Sequence, residues 1–325
     1  MKARIRVVVL NYKTADLTVA CLRSIEGEVV ARGDTEVVVT DNASGDGSVE
    51  KISAAIAENG WTWATVMAMP ANGGFAYGNN AGVRPVLGTP ECPQYFLLLN
   101  PDTEARGLVI GPLFDFLERH PEAGIAGSRL EDPDGTIQRS AFRFHSVLGE
   151  LDMGLRLGVI TDLLADHVVA PAAPDVARET DWVSGASFMV RARVFDEVGL
   201  MDEAYFLYFE ETDFMFRAKK RGWSCWYVPE SRVMHYMGAA TQVGDPRKHM
   251  KRRPGYWFES RRRYFVKSLG PAGALAADVA FVGGLVSWRL RALLQKKDVR
   301  DPPQFLRDFV RNSVLVKGAK IPPAK

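Results

Sequence analysis

The sequence contains little cysteine. Its three cysteines, Cys21, Cys92 and Cys225, form no CxxC pair and no even set for a disulfide framework. Such usage fits a reducing compartment. The first strand pattern begins by Ile5, which leaves no room for a signal peptide. We therefore expect a cytoplasmic protein.

The sequence also lacks the common phosphate-binding motifs. No GxGxxG follows an early strand pattern, which argues against a nicotinamide dehydrogenase, and the absence of GxxxxGK followed by Ser or Thr argues against a P-loop enzyme. A sugar-phosphate nucleotidyltransferase would require a glycine-rich, basic loop after the first strand. Residues 11–14, Asn-Tyr-Lys-Thr, stand there instead. That class shares the predicted sheet and is kept only as an alternative.

Charge is distributed unevenly along an otherwise ordinary globular composition. The chain has 325 residues, of which 47% are hydrophobic and 25% charged, and this permits one large domain or two. Residues 1–246 contain 22 Lys/Arg and 34 Asp/Glu, whereas residues 247–325 contain 19 Lys/Arg and 5 Asp/Glu. The net charges are therefore −12 and +14. We expect the basic tail to meet an anionic surface, either membrane or nucleic acid.

Four apolar runs alternate with helical patterns in the first hundred residues. The predicted strands are 6–10, 36–40, 62–69 and 95–99. This alternation predicts an α/β fold with a mostly parallel sheet flanked by helices. Each strand ends in a loop rich in Asn, Asp or Gly, and the carboxyl ends of parallel strands share one edge. We therefore expect the four loops to form one site.

The fourth run, residues 95–99, organises the rest of the chain. Its five apolar residues stand between Pro93 and Pro101, which predicts a strand buried on both faces that ends before Pro101. Asn100 and Asp102 leave the sheet together at that point. Their oxygen atoms suit a hard cation that carries phosphates. They suit equally a loop in which both side chains make only local turn bonds, and this stretch alone leaves both interpretations open.

The pattern becomes less regular after residue 106. The predictions are a helix over 113–117, a short strand over 124–127, a strand over 182–190 and a helix over 191–198. Gly199 stands where that helix is expected to stop. Residues 142–180 permit two interpretations, a mobile insertion near the site or a helical pair that covers the sheet.

A second informative stretch is residues 205–214. Five apolar residues, 205–209, predict a strand that leads directly into a helix, with Glu210, Glu211 and Asp213 at the junction. Acids at a helix start are favoured by its dipole. One acid would suffice for the dipole, however, and three lie within four residues. A short strand is predicted over 226–229, with His235 just beyond it.

Together these stretches resemble the family-2 glycosyltransferases, which have the GT-A fold and use nucleotide-sugar donors. The nearest subgroup is the rhamnosyltransferases of bacterial polysaccharide assembly. The matching segments occur in the family's order between residues 4 and about 240, at 7–12, 39–44, 72–75, 100–102, 209–213 and His235. The resemblance implies a GT-A domain over residues 1–245, with a nucleotide half to about 105 and an acceptor half over 106–245. A basic, amphipathic helical tail over 246–325 completes the predicted organisation.

The resemblance assigns the donor nucleotide to the loops at the sheet edge. It implies that Asp41 accepts the N3–H of uracil or thymine, so that the donor is a UDP- or dTDP-sugar. The other residues implied around the base, ribose and diphosphate are Asn11, Tyr12, Asn42, Asn72, Gly73, Gly74, Asn79 and Asn100. Two adjacent glycines let the backbone approach a ligand closely.

The resemblance also implies a metal and a catalytic base. Asp102 ends the segment in the place of the family's Asp-x-Asp motif, and with His235 it is the expected ligand of Mn²⁺ or Mg²⁺. Glu211 aligns with the base of a single, inverting displacement, with Glu210 as the alternative base and Asp213 in a supporting role. Two departures from the family pattern are an asparagine at 100, which supplies no second charge, and a glutamate rather than an aspartate at 211.

The implied reaction moves a sugar, with rhamnose favoured, to a hydroxyl of a glycan or lipid-linked acceptor in cell-surface polysaccharide synthesis. We place four residues on the acceptor or membrane side: Trp182, Arg261, Arg262 and Arg263. The alternative outside enzymology is a membrane-bound scaffold that binds nucleotide without turnover.

The tail itself permits several interpretations. An apolar run over residues 269–288 has basic flanks and is about 20 residues long, near the length that spans a bilayer. Asp278 at its centre and four glycines argue against a full span. A helix or helical hairpin in the membrane interface, at the inner face of the cell membrane, fits better. Helices packed on the catalytic domain, or a homodimer contact, remain open. Nucleic acid is disfavoured because no recognition module accompanies the basic residues.

Overall fold

The computed structural model describes residues 3–236 and 250–323. Its first part is a parallel sheet with alternating helices. The strands are β1 (Ile5–Asn11), β2 (Thr35–Asp41), β3 (Ala64–Ala68) and β4 (Tyr95–Leu99), and the helices are α1 (Ala15–Arg32), α2 (Ser48–Glu58) and α3 (Gly74–Val83). All four strands and the first two helices lie where the sequence predicts them. The apolar runs were sufficient to locate the strands, because parallel strands buried on both faces consist of nearly continuous hydrophobic residues.

The second part adds strands of both directions and encloses the sheet. Its elements in chain order are β5 (Thr103–Ala105), α4 (Ile110–Arg119), β6 (Ala123–Glu131), β7 (Ala141–Phe142), α5 (Val147–Leu155), α6 (Gly158–Leu163), β8 (Arg178–Thr180), β9 (Trp182–Val183), β10 (Ser187–Arg191), α7 (Ala192–Val198), α8 (Glu210–Lys220) and β11 (Ser224–His235). A 3₁₀ turn over Ala165–His167 follows α6.

The main sheet has nine strands, in the order β3-β2-β1-β4-β10-β6-β11-β5, with β8 paired to β11. Strand β10 runs antiparallel to both β4 and β6, so the sheet is mixed. Strands β1 and β4 are parallel neighbours, and the order in which strands are added reverses between them, since β2 and β3 extend the sheet one way and later strands extend it the other. Ligands of open α/β sheets bind in the crevice at such a switch point.

Hydrophobic clusters cover both faces of the sheet. Helices α1 and α4 pack on one face, through residues such as Leu22 and Leu113. Helices α3, α7 and α8 pack on the other, through residues such as Phe195 and Phe214. The mixed α/β sheet flanked by helices confirms the predicted fold class.

Three sequence predictions in this region require correction. Residues 205–209 are not a strand, because Tyr208 and Phe209 both have positive φ and break any extended conformation. The predicted strand over 182–190 is two short strands separated by residues 184–186. The short strand predicted over 226–229 is the twelve-residue β11, and His235 is its last residue rather than a residue beyond it.

The tail is helical and folds back on itself. Its elements are α9 (Gly255–Leu294), α10 (Phe305–Asn312) and α11 (Val314–Lys317). Helix α9 breaks at Gly270, whose φ of 72° is not helical, and Pro271 follows it. The Arg261 guanidinium on one side of this break bonds to the Asp278 carboxylate on the other, so the two halves of α9 lie against each other.

The tail also packs against the rest of the chain. Helix α5 lies against α9, where Gly154 and Gly284 approach so closely that a Cβ on Gly154 would lie 2.5 Å from the Phe281 carbonyl oxygen. Helix α5 of residues 142–180 packs on the tail, whereas Phe144 and Ala173 pack against the hydrophobic cluster of the sheet and β8 belongs to the sheet itself. By length and hydropathy, α9 is the one candidate membrane span among the described residues. Residues 246–249 of the predicted tail lie outside the described ranges.

Candidate active site

Asn11 and Asp41 are paired at the ends of β1 and β2. They are direct neighbours in the parallel register, and Asn11 Nδ2 donates a 2.6 Å hydrogen bond to Asp41 Oδ2. Ser44 adds its backbone amide and its hydroxyl to the same carboxylate, at 2.9 and 2.6 Å. The Asn11 oxygen accepts from Thr14 and Thr18. Asn11 therefore holds Asp41 and the start of α1 in place, and its position beside the base stays a prediction.

The side chain of Tyr12, directly after β1, is exposed to solvent. Its side chain is 38% exposed, whereas Asn11 and Asp41 are almost fully buried. Lys13 follows it with a φ of 58° and places its ammonium 5.4 Å from the Tyr12 ring centre. An exposed aromatic ring beside a buried carboxylate suits a base that stacks on the ring and directs a polar edge inward.

The glycine loop after β3 is tied to the end of β2. Asn42 Nδ2 donates to the Gly74 carbonyl at 2.9 Å and to Asn72 Oδ1 at 3.3 Å, and the Gly74 amide donates to the same oxygen of Asn72. The buried Oδ1 of Asn42 has no hydrogen-bond partner among the described residues. An acceptor left open in this way is suited to a ligand hydroxyl. Asn79 is buried and donates to the Phe75 carbonyl, so it stabilises the start of α3.

Asp102 and His235 meet because β5 pairs with β11. Thr103 and His235 are partners in this antiparallel pair, and the Tyr236 amide donates to the Asp102 carbonyl at 2.9 Å. The two side chains face each other, with His235 Nε2 3.6 Å from Asp102 Oδ1. Asn100 is held nearby, since its amide donates to the Ala186 carbonyl. The structure thus brings the two predicted metal ligands together across 133 residues of sequence.

The tautomer of His235 is set by Gln138. The Gln138 amide nitrogen donates to Asp132 Oδ1 and to the His235 carbonyl, both at 2.9 Å, so its oxygen is left to accept. That oxygen lies 3.1 Å from His235 Nδ1. Nδ1 therefore carries the proton, and the lone pair of Nε2 faces the Asp102 carboxylate. Burial lowers the pKa of His235, although the Asp102 carboxylate opposes this, so the ring is neutral near pH 7.

The Nε2 lone pair of His235 and the Asp102 carboxylate are both acceptors, and a cation between them would be bound by both. A neutral imidazole and a carboxylate are ligands that Mn²⁺ and Mg²⁺ accept. Within the described part of the chain no third His, Cys, Asp or Glu joins them to make a cluster of three. A metal held here would complete its coordination with donor oxygens or water.

Glu210 and Glu211 form the second chemical centre, in the first turn of α8. Burial raises the pKa of both, and the neighbouring Glu211 raises that of Glu210 further. For Glu211 the amides of Thr212 and Gly185 oppose the rise. One carboxylate oxygen of each residue is buried with no hydrogen-bond partner among the described residues. Glu210 is only 2% exposed and its pKa is raised well above the ordinary value, and the two carboxyls titrate as a pair.

Glu211 points toward the donor loop and the sheet. A Cβ built on Gly185 would lie 3.4 Å from Glu211 Oε1 and 3.3 Å from the Phe75 ring. Gly185 stands just before Ala186, whose carbonyl accepts from the Asn100 amide. Glu211 and the Asn100–Asp102 segment therefore approach the same sheet edge from different elements.

The segment before α8 is held against the glycine loop by its backbone. The Phe75 amide donates to the Phe206 carbonyl at 2.9 Å, and a Cβ on Gly74 would lie 1.9 Å from that oxygen. The φ values of Tyr208 and Phe209, 74° and 70°, are left-handed and strained for such residues. Such backbone strain persists only where surrounding contacts hold it in place. Here the strained residues directly precede Glu210 and Glu211, and so they set the position of both carboxylates.

Asp213 is a structural residue of this centre. It is 1% exposed and forms ion pairs with Arg217 at 2.9 Å and with Lys267 of α9 at 2.6 Å. The Tyr205 hydroxyl donates to it at 3.2 Å. Its contacts tie the catalytic helix to the tail, which agrees with a role in orienting the helix start.

The residues predicted on the acceptor side require correction. Arg261 is 6% exposed and pairs with Glu150 and Asp278, and Arg263 is 4% exposed and pairs with Asp202. Arg262 donates to the Gly318 and Lys320 carbonyls. These guanidiniums neutralise internal acceptors and do not form a free cationic cluster. The Trp182 ring stacks on Phe142 and its indole N–H donates to the Arg143 carbonyl.

Several residues of the site were not predicted from the sequence. Ser44, Gln138, Gly185 and Phe206 each contact a predicted residue. Ser44 alone had a local signal, since Asp41 and a Ser three residues later at a strand end are typical of an Asx-turn. The others act across 26 to 132 residues of sequence and leave no local pattern: Gln138 is 97 residues from His235.

The architecture matches solved glycosyltransferases. A mannosyltransferase from Pyrobaculum calidifontis in complex with GDP-Man and Mn²⁺ aligns with a TM-score of 0.55 at 15% identity, over 98% of this chain and 82% of its own. GalNAc-T7 with UDP, GalNAc and Mn²⁺ aligns with a TM-score of 0.58 at 13% identity, over 98% and 59%. The fold is therefore that of the GT-A glycosyltransferases.

Sequence comparison identifies the family. Residues 6–166 match Glycosyl transferase family 2. An N-acetylglucosaminyl-diphospho-decaprenol L-rhamnosyltransferase of Mycobacterium tuberculosis is 29% identical over 228 residues, which cover 66% of this chain and 70% of the relative. The rhamnosyltransferase WbbL of Escherichia coli is 25% identical over 166 residues, which cover 50% and 61%. The chain contains a glycosyltransferase family 2 domain and is a glycosyltransferase, which confirms the resemblance drawn from its motifs.

Proposed function

We propose that this protein is an inverting, metal-dependent glycosyltransferase that moves a sugar, with rhamnose favoured, from a dTDP- or UDP-sugar to a hydroxyl of a lipid-linked or glycan acceptor. The observation that carries the proposal is the meeting of two centres at one sheet edge. Asp102 and His235 form the first, and the Glu210–Glu211 pair forms the second. The names of the two rhamnosyltransferase relatives support the choice of rhamnose, and the diphospho-decaprenol in one name supports a lipid-linked acceptor.

The residues of the chain divide the chemistry between them. Asp41, held by Asn11 and Ser44, would orient the pyrimidine against Tyr12, and the glycine loop would let the diphosphate approach the backbone. Asp102 and His235 would hold Mn²⁺ or Mg²⁺. Bound there, the ion would stabilise negative charge on the leaving diphosphate. Glu211 would accept the proton of the attacking hydroxyl, while protonated Glu210 reduces repulsion beside it.

The tail supplies a surface suited to membrane association. Four apolar residues on the second half of α9 recur at helical spacing, and each is between 40% and 76% exposed: Val279, Val286, Leu290 and Leu293. Exposed lysines at 296 and 297 follow them. An apolar helix face beside basic residues favours binding at an anionic interface. We call the surface formed by these four apolar residues the α9 outer face. We infer that the protein associates peripherally with the inner face of the cell membrane through it.

The decisive experiment is transfer by the purified protein. Radiolabelled dTDP-rhamnose, UDP-N-acetylglucosamine and UDP-glucose would be offered with a polyprenyl-diphospho-N-acetylglucosamine acceptor, with Mn²⁺, with Mg²⁺ and with EDTA. We expect rhamnose transfer that requires a divalent ion and is lost in Glu211→Gln. Donor binding without transfer or hydrolysis in any combination would instead support a scaffold, and pyrophosphorolysis of the donor would support a nucleotidyltransferase.

A further inference from the structure

A cleft of about 230 Å³ lies beside the start of the catalytic helix, between α5 and the tail. Phe209, the residue directly before Glu210, forms part of its wall. Burial raises the pKa of the Tyr208 and Tyr256 hydroxyls, and the guanidinium of Arg253, another wall residue, lies close enough to both to oppose that rise. The cleft therefore opens next to the proposed base, on the side that the tail covers.

The cleft carries an excess of positive charge. Four arginines line it, Arg156, Arg253, Arg261 and Arg300, against two carboxylates, Glu150 and Asp301. Arg261 is neutralised by Glu150 at 2.7 Å and by Asp278, and Arg156 by Asp301 at 2.9 Å. Asp301 also pairs with Arg289, which lies outside the wall.

Two of the four guanidiniums remain uncompensated. Arg253 and Arg300 form no ion pair with any described carboxylate, although both line the cleft. Arg253 lies over the Trp257 ring, with its guanidinium carbon 5.4 Å from the ring centre. A guanidinium that is stacked in this way keeps its N–H groups available at its edge, and that edge matches the oxygens of a phosphate.

The rest of the wall is largely apolar. Trp257, Phe281 and Phe305 are aromatic neighbours within the cleft. Met153 and Met250 also line the cleft and are 42% and 39% exposed, so its apolar wall reaches solvent. A ligand with a charged head and a hydrocarbon chain would therefore find cations inside the cleft and apolar surface on leaving it.

We infer that this cleft binds the diphosphate of the polyprenyl acceptor, with Arg253 and Arg300 as its cations. The inference rests on the proposed function, because it places the acceptor's reactive sugar beside Glu211. The donor diphosphate is a poor candidate for this cleft, since its proposed contacts, Asp102 and the glycine loop, belong to the sheet edge. Arg261, predicted as a phosphate contact, instead shapes the cleft through its two internal ion pairs.

The test is a binding measurement that needs no turnover. Farnesyl diphosphate serves as a soluble probe and would be titrated calorimetrically into the full chain in EDTA. We expect it to bind more tightly than either farnesol or inorganic pyrophosphate. Arg253→Gln and Arg300→Gln should each weaken it about tenfold, as loss of a charge-assisted phosphate contact does. Arg311→Gln, an equal loss of charge at an exposed position of α10 that does not line the cleft, is the matched control and should change little.

Three outcomes would overturn the inference. An equal loss in Arg311→Gln would show general electrostatic attraction. Displacement of the probe by dTDP would place it in the donor site, and full competition by phosphatidylglycerol vesicles would make the cleft a headgroup site. The Glu211→Gln protein should bind the probe unchanged. If the wild type transfers no sugar but binds the probe as expected, only the proposed function fails. If it transfers sugar but Arg253→Gln leaves both probe binding and the acceptor KM unchanged, only this inference fails.

Discussion

Gly74 and Phe206 are packed backbone to backbone, so that the donor loop and the segment before the catalytic helix form one unit. A Cβ at position 74 would lie 1.9 Å from the Phe206 carbonyl oxygen, and the φ of Gly74 is +88°. The hydrogen bond from the Phe75 amide to the same oxygen fixes their spacing. Any movement of one loop must therefore move the other. Because Glu210 and Glu211 follow Phe206 by only four and five residues, this contact couples donor binding to placement of the base.

The first prediction concerns Gly74→Ala. We expect it to weaken donor binding and transfer together, because the side chain cannot fit without displacing the Phe206 carbonyl. Gly60→Ala is the matched control, since Gly60 also has positive φ, at 65°, but would place its Cβ in open space. The control should cost about 1 kcal/mol of stability from backbone strain alone. Calorimetry with dTDP and chemical unfolding would separate the two effects. Equal losses in both variants would mean that the close contact carries no function.

The second prediction concerns Gln138→Leu, which removes the oxygen that accepts from the Nδ1–H of His235 and so fixes the tautomer of the ring. Loss of such an outer contact typically weakens metal binding about 10- to 100-fold. Mn²⁺ affinity in the presence of dTDP, measured by electron paramagnetic resonance, would report it. The control is Gln94→Leu, since Gln94 is exposed and bonds to Arg4 far from this site. Unchanged Mn²⁺ binding in Gln138→Leu would argue that His235 does not act as a ligand.

The third prediction concerns Asp102→Ala. Nucleotide diphosphate binding should lose its metal-dependent tightening, while the protein remains folded. His235→Ala should have a milder effect, because water and diphosphate oxygens can fill a vacant position on a hard ion. Calorimetric titration of dTDP with and without Mn²⁺ would measure both. Equal metal dependence in wild type and Asp102→Ala would remove Asp102 from the proposed metal site.

The fourth prediction concerns the base and pH. Glu211→Gln should preserve donor binding and lower transfer by about 10²- to 10⁴-fold. Since burial raises the pKa of Glu211, transfer by the wild type should fall as pH drops through mildly acidic values, at a pH above that of an ordinary glutamate. The pH–rate profile at saturating Mn²⁺ would show this limb. If Glu210→Gln caused the larger loss of turnover, the roles of the two glutamates would have to be exchanged.

The fifth prediction concerns stability. Because the folded-state pKa of Glu210 is raised, the folded protein binds more protons than the unfolded chain once pH exceeds the ordinary glutamate value of about 4.3, and stability falls as pH rises from there toward the raised pKa. Glu210→Gln removes that loss. Its melting temperature should exceed that of the wild type at pH 8 and converge with it near pH 4. A constant difference across this range would mean that Glu210 does not titrate abnormally.

The α9 outer face can be tested without removing the tail. Leu290→Glu and Leu293→Glu should reduce co-sedimentation with phosphatidylglycerol vesicles, because each places a carboxylate on an apolar, anion-facing surface. Val30→Glu, at a 62% exposed position on α1, is the control. Binding should also weaken as salt rises. Wild-type protein that stays in the supernatant with anionic and neutral vesicles alike would rule out the membrane surface.

Deletion of residues 247–325 would be a poor test of membrane association. Arg263 and Lys267 neutralise the buried Asp202, and Arg261 neutralises the buried Glu150. Breaking buried ion pairs by removing one partner typically costs about 3–5 kcal/mol each. The truncated chain would retain these acids without their cations, so we expect it to unfold rather than to bind nucleotide.

The sequence by itself determined the sheet and the order of its loops. Apolar runs such as residues 95–99 are local signals, because a strand buried on both faces excludes polar residues whatever lies around it. The residue types after each strand were also local, and they identified Asp41, Asp102 and the glutamate pair as candidates. These features depend on residues within one or two turns of each other, which a linear pattern can encode.

Only the tertiary structure decided which side chains face a ligand. Arg261 and Arg253 look alike in the sequence, yet Arg261 forms an ion pair with Glu150, 111 residues away. Arg253 instead stacks on Trp257 near the proposed base and forms no ion pair with a described carboxylate. Gln138 sets the tautomer of His235 from 97 residues away. The apolar residues 205–209 predicted a strand, but the contact of Phe206 with Gly74 and the left-handed conformations of Tyr208 and Phe209 gave a strained loop. Partners so distant in sequence meet only after the chain has folded, and burial then makes each unpaired charge or acceptor costly enough to fix its partner.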